Sequence, residues 1–415
     1  MEKYITTLEL TSTCIRLLVG YVYSSQVYVL HALESDRAHL VNRHIVDTDE
    51  MALAIKELVH SASSTLGITI DSVVLGLPST DMKIQAAKAD TNTTDMNAMV
   101  QLFDGSNLIS MIAKQCTLAE GKQCVIGVVP YEYSLEGSNK VYKRFPIGKR
   151  ANSISMKADV EIGDALIVKT YREAVNKAGL KILMMVNVTN ATTAYASFFQ
   201  KAKQEYILVD IGEEYTTLGY SYDERLFQAA EFPFGRKSVV RHLMQKLSLS
   251  EAKAEEYLRI YGISQDPDFE FATQEGIKVS TIAETVKDAL KPLIEQIEQF
   301  YLSFSSSARN LFVLSGVGSS IFGLGGFLSE RFKNTVSVFT PIAFGARNPE
   351  YTHCLAMLKY YSDYPIKQSP NRPTDLTLTR IDLNLNAVQN PKKEKGGEEE
   401  KKPARNPFGD GDEIL

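Results

Sequence analysis

The chain has 415 residues, 44% of them hydrophobic and 23% charged, and is therefore long enough to bury the cores of two or three domains. Its formal net charge of -5 and its pI near 5.8 exclude the basic field that nucleic-acid-binding proteins present. The sequence has neither an apolar run of membrane-spanning length nor the pattern of a secretion signal, which predicts a cytoplasmic protein.

Two segments of the chain have the alternation of apolar and polar residues that is typical of antiparallel strands joined by turns. They are residues 4–30, at the start, and residues 206–232, near the middle. When Glu9 is laid over Asp210, both copies read hydrophobic, acidic, hydrophobic and then a small polar turn. The repeat predicts two similar lobes, each of which begins with a meander of strands.

The region between the two meanders predicts an insertion that is followed by an α/β pattern. Residues 87–160 are interpreted as a small inserted α+β subdomain, and the alternation of strands and helices beyond it favours an α/β lobe. The elements expected here are a helix over 49–66, a strand over 72–77, a polar run without strong period over 87–97, a helix over 96–115, a strand over 124–129, a hairpin reaching 140–147, a helix over 163–179, a strand over 181–188 and a helix over 192–203.

The second half of the chain predicts helices, one buried strand and a tail. Ser250 is placed to cap a helix that Gly262 ends. The amino-acid composition changes from about residue 369, and residues 391–403 form a charged linker that cannot bury a core. The folded body is therefore expected to end near residue 370. The expected elements are helical pieces within 238–261, a long helix over 279–307 interrupted near Pro292, a buried strand over 310–315 and a glycine-rich turn over 316–320.

Three turns in the chain are candidates for binding an anion. They lie at 11–14, 212–217 and 316–320, each directly after a predicted strand. Successive backbone N–H groups in such a turn can point at one phosphate. Glycine and serine turns also end many strands that bind nothing, so the order of the three turns along the chain is the informative feature.

Several segments resemble motifs of the FtsA family, bacterial homologues of actin within the actin, Hsp70 and hexokinase superfamily of ATPases. The strand end 209–212, followed by Thr216 and Thr217, is similar to the family's second phosphate motif, and 313–319 is similar to its adenosine motif. Further similarities lie at 232–235, at 254–262, at 345–351, and in the insertion at 130–133 and 145–148. The resemblance covers residues 1 to about 365.

The resemblance implies an α/β fold of two actin-like lobes, that is, a duplicated ribonuclease-H-like fold with a small α+β insert and a disordered C-terminal tail. The implied domains are a first lobe of 1–86, 161–204 and 341–370, an inserted subdomain of 87–160, a second-lobe core of 205–236 and 308–340, a helical subdomain of 237–307 and a flexible tail of 371–415.

The same resemblance implies that the cofactor is ATP with magnesium, bound between the lobes, and that Asp210 orders the hydrated metal ion. No catalytic residue is assigned. The implied nucleotide-binding residues are Thr11, Ser12, Thr13, Asp210, Gly212, Thr216, Thr217, Glu255, Arg259, Gly316, Gly318 and Ser319.

All of the loops implied to bind the nucleotide depart from the family pattern. The first loop lacks its glycine, the second has Glu213 and Glu214 where glycines are expected, and Leu258 replaces a lysine that follows Glu255. A carboxylate about 4 Å from a phosphate is repulsive by roughly 1 kcal/mol in water and roughly 4 kcal/mol at an effective dielectric constant near 20. These departures predict at most a weak ATPase.

The tail lacks the basic amphipathic helix with which FtsA proteins bind the membrane surface. Residues 406–415 contain a proline, two glycines and three acidic residues, which disfavours both a helix and contact with anionic lipid. Residues 376–385 instead alternate like a strand that could pair with a sheet edge. Any membrane attachment is therefore expected to be indirect, through a partner.

The resemblance implies a scaffold of bacterial cell division, located in the cytoplasm at the division site on the inner face of the membrane. Such a protein self-associates into filaments or oligomers, and it recruits the C-terminal tail of FtsZ and later proteins of the divisome. Two alternatives stay open: a cytoplasmic adaptor of a pilus or secretion machine, similar to PilM, and a phosphotransferase of the same superfamily. The second would need a catalytic aspartate and an intact first phosphate loop.

Overall fold

The structure is a computed structural model that describes residues 4–37, 40–199, 205–264, 271–304 and 311–364. The expectations for the tail, including the alternating stretch at 376–385, lie outside the described residues. No helix in these ranges combines the length and the apolar character needed to cross a membrane.

The described chain alternates between strand meanders and helices, as the sequence predicts. Its strands are β1 (Ile5–Leu10), β2 (Ile15–Tyr23), β3 (Gln26–Ser35), β4 (Leu40–Val41), β5 (His44–Ile45), β6 (Ser72–Leu77), β7 (Lys83–Asn92), β8 (Gln123–Leu135), β9 (Val141–Tyr142), β10 (Ser153–Asp164), β11 (Lys181–Asn187), β12 (Tyr206–Ile211), β13 (Thr216–Tyr222), β14 (Arg225–Phe232), β15 (Leu311–Ser315) and β16 (Thr335–Val338). Its helices are α1 (Thr48–Leu66), α2 (Leu102–Gln115), α3 (Ala165–Lys177), α4 (Val188–Phe199), α5 (Arg236–Leu247), α6 (Glu251–Ile260), α7 (Val279–Ala289), α8 (Lys291–Leu302), α9 (Leu324–Phe332) and α10 (Thr352–Asp363).

Two five-stranded sheets have the same topology, which confirms the predicted duplication. One has the order β3-β2-β1-β6-β11 and the other β14-β13-β12-β15-β16, and in both the first two pairings are antiparallel and the last two parallel. Glu9 is the fifth residue of six in β1 and Asp210 the fifth of six in β12. We call the units built on these sheets the first and the second lobe.

Each lobe has its own apolar core on one face of its sheet. In the first lobe, α1 and α3 pack there through residues such as Ile55 and Val168, and in the second lobe α5 to α9 pack through residues such as Leu243 and Ile297. Helix α1 forms where the sequence predicts it, because Asp47 accepts hydrogen bonds from two first-turn N–H groups and Gly67 ends it at a φ of 65°. The two cores therefore exclude water from the sheet faces on which these helices pack.

A third apolar cluster joins the two lobes. Helices α4 and α10 lie between the two sheets, so that Leu18 of the first lobe and Leu208 of the second belong to one cluster with Leu355 of α10. The packing is close at Gly76, where an added Cβ would lie 2.8 Å from the sulfur of Met357. The two helices therefore form the shared layer from which the cleft between the lobes is built.

Residues 83–164 contain a separate four-stranded antiparallel sheet of order β7-β10-β8-β9, with α2 packed on one face. This sheet also contacts the second lobe. The guanidinium of Arg225 donates to both carboxylate oxygens of Asp159 at 2.8 Å and lies 3.5 Å from the ring centroid of Tyr131. Lys143 donates to Asp223 at 2.9 Å.

Several predicted boundaries are wrong within this region. The polar run expected at 87–97 is largely the strand β7, an edge strand with most of its side chains in solvent, so its composition lacks an apolar period. Helix α2 starts at Leu102, six residues later than expected, and β10 was not predicted. The interruption predicted near Pro292 in the helix over 279–307 is confirmed, because α7 and α8 meet at Leu290 and Pro292 occupies the first turn of α8.

A buried carboxyl group in the sheet of residues 83–164 predicts a pH-dependent stability. Burial of Glu161, reinforced by the negative charge of Asp159 and opposed by a hydrogen bond from Asn190, raises its pKa from 4.5 to about 8. The buried, protonated Glu161 therefore contributes fully to the free energy of unfolding below pH 4.5, and this contribution is lost as the pH rises through 8. We expect Glu161→Gln to raise the free energy of unfolding at pH 8 by on the order of 2 to 4 kcal/mol and to change it little at pH 4.5.

Urea unfolding across this pH range measures the effect. The matched control is Glu136→Gln, which changes an exposed glutamate in the turn after β8. A stabilisation of the same size at both pH values would contradict the assignment of a buried, protonated Glu161.

Candidate nucleotide cleft between the two lobes

The two acidic strand ends predicted from the repeat face each other across the cleft, and a histidine lies between them. His353, in the first turn of α10, places its Nδ1 at 2.6 Å from Oε1 of Glu9 and bonds through its Nε2 to Oδ2 of Asp210. Both carboxylates are almost fully buried. A single imidazole ring thus links the first lobe to the second.

The geometry of this bridge determines the charge of His353. Both ring nitrogens must donate, because an ionised carboxylate only accepts, so the ring is an imidazolium. Burial lowers the pKa of His353, but the charges of Asp210 and Glu9 outweigh it and hold that pKa well above its usual 6.5. Burial raises the pKa of Glu9, but the positive charges of His353, Arg16 and Arg43 outweigh burial and hold that pKa below 4.5.

A second charged contact crosses the cleft. Arg43, between β4 and β5, donates to the carboxylate of Glu231 on β14 from Nε at 3.2 Å and from Nη2 at 2.9 Å. The side chain of Glu231 is only 3% exposed and also accepts from Thr80 at 2.6 Å and from Thr217 at 3.3 Å. The Arg43 guanidinium lies 4.3 Å from the ring centroid of Tyr215. Glu231 is therefore fully paired by groups from both lobes.

In two of the turns that were predicted to bind phosphate, some backbone N–H groups are bonded within the turn itself. In the first turn the hydroxyl of Thr11 accepts from the N–H groups of Thr13 at 3.3 Å and Cys14 at 3.0 Å. In the second turn the N–H of Gly212 donates to the carbonyl of Tyr215 at 2.9 Å. These donors are not free to bind an anion.

The structure brings six of the twelve predicted binding residues to the cleft and leaves the other six elsewhere. Those that line the cleft are Thr11, Ser12, Asp210, Gly212, Thr217 and Gly316. Those that do not are Thr13, Thr216, Glu255, Arg259, Gly318 and Ser319.

The residues outside the cleft have structural contacts instead. The hydroxyl of Thr216 donates to the carbonyl of Phe234 at 2.7 Å, and Gly318 packs directly against Ile211. Glu255 is bonded to Arg236, which also lies 3.7 Å from Glu213. Arg236 therefore holds both acids beside the cleft.

Sequence reasoning missed the residues that close the cleft. They are Arg16, Arg43, Glu231 and His353. His353 lies 344 residues from Glu9 and 143 from Asp210 along the chain, so no spacing could have indicated their contact. A lone histidine at the start of an amphipathic helix carries no signal of its own. Glu231 could have been suspected only as an acidic residue at the end of a strand.

The cleft does not fit a nucleoside triphosphate in this arrangement of the lobes. Its volume is about 60 Å³, whereas pockets for ligands of drug size enclose roughly 300 to 1,000 Å³. Its charged lining comprises the acids Glu9, Asp210, Glu213, Glu214, Glu231 and Glu350 and the cations Arg16, Arg43 and His353. An excess of carboxylates repels phosphate. A nucleotide would have to displace the His353 bridge.

The position predicted for a metal ion is occupied by this bridge as well. One oxygen of Asp210 bonds to His353, and its other oxygen, Oδ1, is buried without a hydrogen-bond partner beside Gly316. The described ranges contain no group of three His, Cys, Asp or Glu side chains arranged to hold a metal ion. A cation at Asp210 would therefore have to compete with the imidazolium.

Loss of the second cross-lobe pair is expected to be costly. Arg43→Ala leaves the Glu231 carboxylate buried without its cation, so we expect the free energy of unfolding to fall by about 3 to 5 kcal/mol. Arg37→Ala is the matched control, because Arg37 pairs with Glu57 at 2.8 Å on the surface, where both side chains are about half exposed. That loss should be about 0 to 1 kcal/mol. Equal losses in chemical denaturation would contradict the assigned burial.

Comparison with known proteins gives a consistent set of relatives, although no family model matches the chain. The cell division protein FtsA of Streptococcus pneumoniae is 22% identical over 381 residues, which cover 86% of this chain and 80% of that protein. FtsA of Bacillus subtilis is 20% identical over 374 residues, which cover 86% of this chain and 83% of that protein.

Solved structures share the fold. A PilM–PilN type IV pilus biogenesis complex contains a chain that matches with a TM-score of 0.58 at 15% identity, covering 85% of this chain and 97% of its own. MreB5 of Spiroplasma citri bound to AMPPNP matches with a TM-score of 0.50 at 10% identity, covering 87% and 96%. The chain is thus a divergent relative of the FtsA cell division proteins and has the two-lobed actin-like fold.

Proposed function

We propose that this protein is an FtsA-like scaffold of bacterial cell division, which self-associates and recruits FtsZ and later division proteins. The observation that carries the proposal is the similarity to FtsA proteins over 86% of the chain, together with a fold that contains both lobes and an additional sheet. In this proposal its site of action is the inner face of the membrane at the division site.

The domain boundaries that we propose follow from the same relationship. The first lobe takes 1–86, 161–204 and 341–370, and the inserted subdomain takes 87–160. The second lobe consists of a core, 205–236 with 308–340, and a helical subdomain, 237–307. Its tail takes 371–415. In this division the inserted subdomain and the lobes supply the surfaces for self-association.

The chemistry of the cleft supports a scaffold in preference to an efficient ATPase. Glu9 and Asp210 are buried acids that line the cleft, and both are bonded to His353. A general base must reach the proton of the attacking water, and a carboxylate bonded to an imidazolium is a weaker base for that purpose. ATP with magnesium would bind between the lobes only by displacing His353 from Asp210. We assign no catalytic step to it.

A second candidate is an adaptor of a pilus or secretion machine. It is favoured by the likeness in fold to the PilM–PilN complex, with a TM-score of 0.58. The identity of 15% restricts that likeness to the fold, whereas the FtsA proteins match by sequence. We therefore rank the division scaffold first.

Binding to peptides separates the two candidates. We expect the full chain to bind a fluorescent peptide of the C-terminal tail of FtsZ from its own host, with a Kd on the order of 1 to 100 μM, typical of a short docking peptide. Fluorescence anisotropy measures it, and a scrambled peptide of the same composition is the control.

The same titration with a cytoplasmic peptide of the PilN type tests the alternative. Sedimentation velocity over a range of protein concentrations tests self-association independently. Failure to bind the FtsZ tail combined with a monomer at all concentrations would overturn the scaffold proposal, and selective binding of the PilN-type peptide would establish the adaptor.

A further inference from the structure

Charged contacts connect the second lobe to the rest of the molecule at three separate places. The first is the imidazolium of His353 between Glu9 and Asp210. The second is the Arg43–Glu231 pair with Thr80, and the third is Arg225 on Asp159 in the sheet of residues 83–164. The three contacts join different elements. A hinge rotation of the second lobe would therefore break at least one of them unless its axis passed through all three.

The first contact lies where a ligand would otherwise connect the lobes. Two-lobed proteins close around a ligand because the ligand gains contacts with both sides. Here His353 makes those contacts itself, with one ring nitrogen on the acid of each lobe. The ring supplies a positive charge between two buried carboxylates, which is the electrostatic role of a cation at such a place.

The remaining lining of the cleft favours the same closed arrangement. The backbone donors of Thr13, Cys14 and Gly212 are bonded within their own turns, so an incoming phosphate gains little from them. Arg236 holds Glu213 and Glu255 at the rim. Beneath the charges, the apolar cluster around α4 and α10 is continuous from the first lobe to the second. Three carboxylate oxygens of the lining stay without a hydrogen bond, one each on Glu9, Asp210 and Glu213.

We propose that the side chains of this protein hold its lobes closed without a nucleotide, with His353 as the central brace and the Arg43–Glu231 pair as a second brace between the lobes, while the Arg225–Asp159 pair fixes the sheet of residues 83–164 to the second lobe. The closed form is then the resting state, and Mg·ATP does not regulate it. This inference deepens the scaffold function and rests on it, because a scaffold held permanently closed presents one fixed surface for self-association.

Hydrogen–deuterium exchange of the full chain, followed by mass spectrometry, tests the proposal directly. In the wild-type protein without nucleotide, we expect the segments 9–16 and 210–217 to be protected already, and saturating Mg·ATP to leave their exchange unchanged. In His353→Ala we expect exchange in both segments to rise by about tenfold or more, since local opening sets the rate. The strand β10 provides an internal reference for global unfolding.

Two further variants keep the test decisive if His353→Ala folds poorly. His353→Arg retains a cation that can donate to both carboxylates and should restore most of the protection. His60→Ala removes an exposed histidine of α1 and should leave exchange in the cleft as in the wild type.

If the segments 9–16 and 210–217 of the wild-type protein exchanged rapidly without nucleotide and Mg·ATP slowed that exchange, the proposal would be overturned. Nucleotide would then be what closes the lobes. If the two segments in His353→Ala exchanged at the wild-type rate, the role assigned to His353 would be wrong. Peptide binding to the FtsZ tail is measured separately, so the failure of this inference is distinguishable from failure of the scaffold function.

Discussion

The closed arrangement of the two lobes depends on a buried imidazolium between two carboxylates. Glu9 and Asp210 stand at equivalent positions of the two duplicated sheets, and their negative charges would repel each other if nothing lay between them. His353 bonds to one oxygen of each carboxylate with a single positive ring. A buried charge is tolerated only when it is paired, so the position of α10, which carries the histidine, and the mutual orientation of the lobes are linked.

The duplication explains why such a bridge is geometrically possible. Each sheet ends its first strand at the cleft, and α4 and α10 fill the space between the sheets as a shared layer. Gly76 has no side chain where these helices approach the first sheet, which lets Met357 and Val188 come within contact distance. Since α10 is held there by apolar packing, its first turn projects His353 into the cleft. Packing of the core thus positions the charges of the site.

The relationship to FtsA proteins concerns the fold of this protein, whereas the closed cleft concerns the side chains of one site. Similarity to FtsA extends along 86% of the chain, and the cleft between the two lobes is lined by the charged side chains of this chain. A fold can persist while the site that it once framed changes, because the core and the site depend on different residues.

The sequence by itself determined the duplicated α/β fold, because apolar periodicity, turn residues and caps such as Asp47 and Gly67 act locally. It also identified Asp210 and the turns around the cleft. Only the tertiary structure decided that Thr216 and Glu255 face elsewhere, and that His353, Arg43 and Glu231 close the cleft. These contacts join residues more than a hundred positions apart, and such pairings are set by the packing of sheets and helices against each other, which local sequence patterns do not encode.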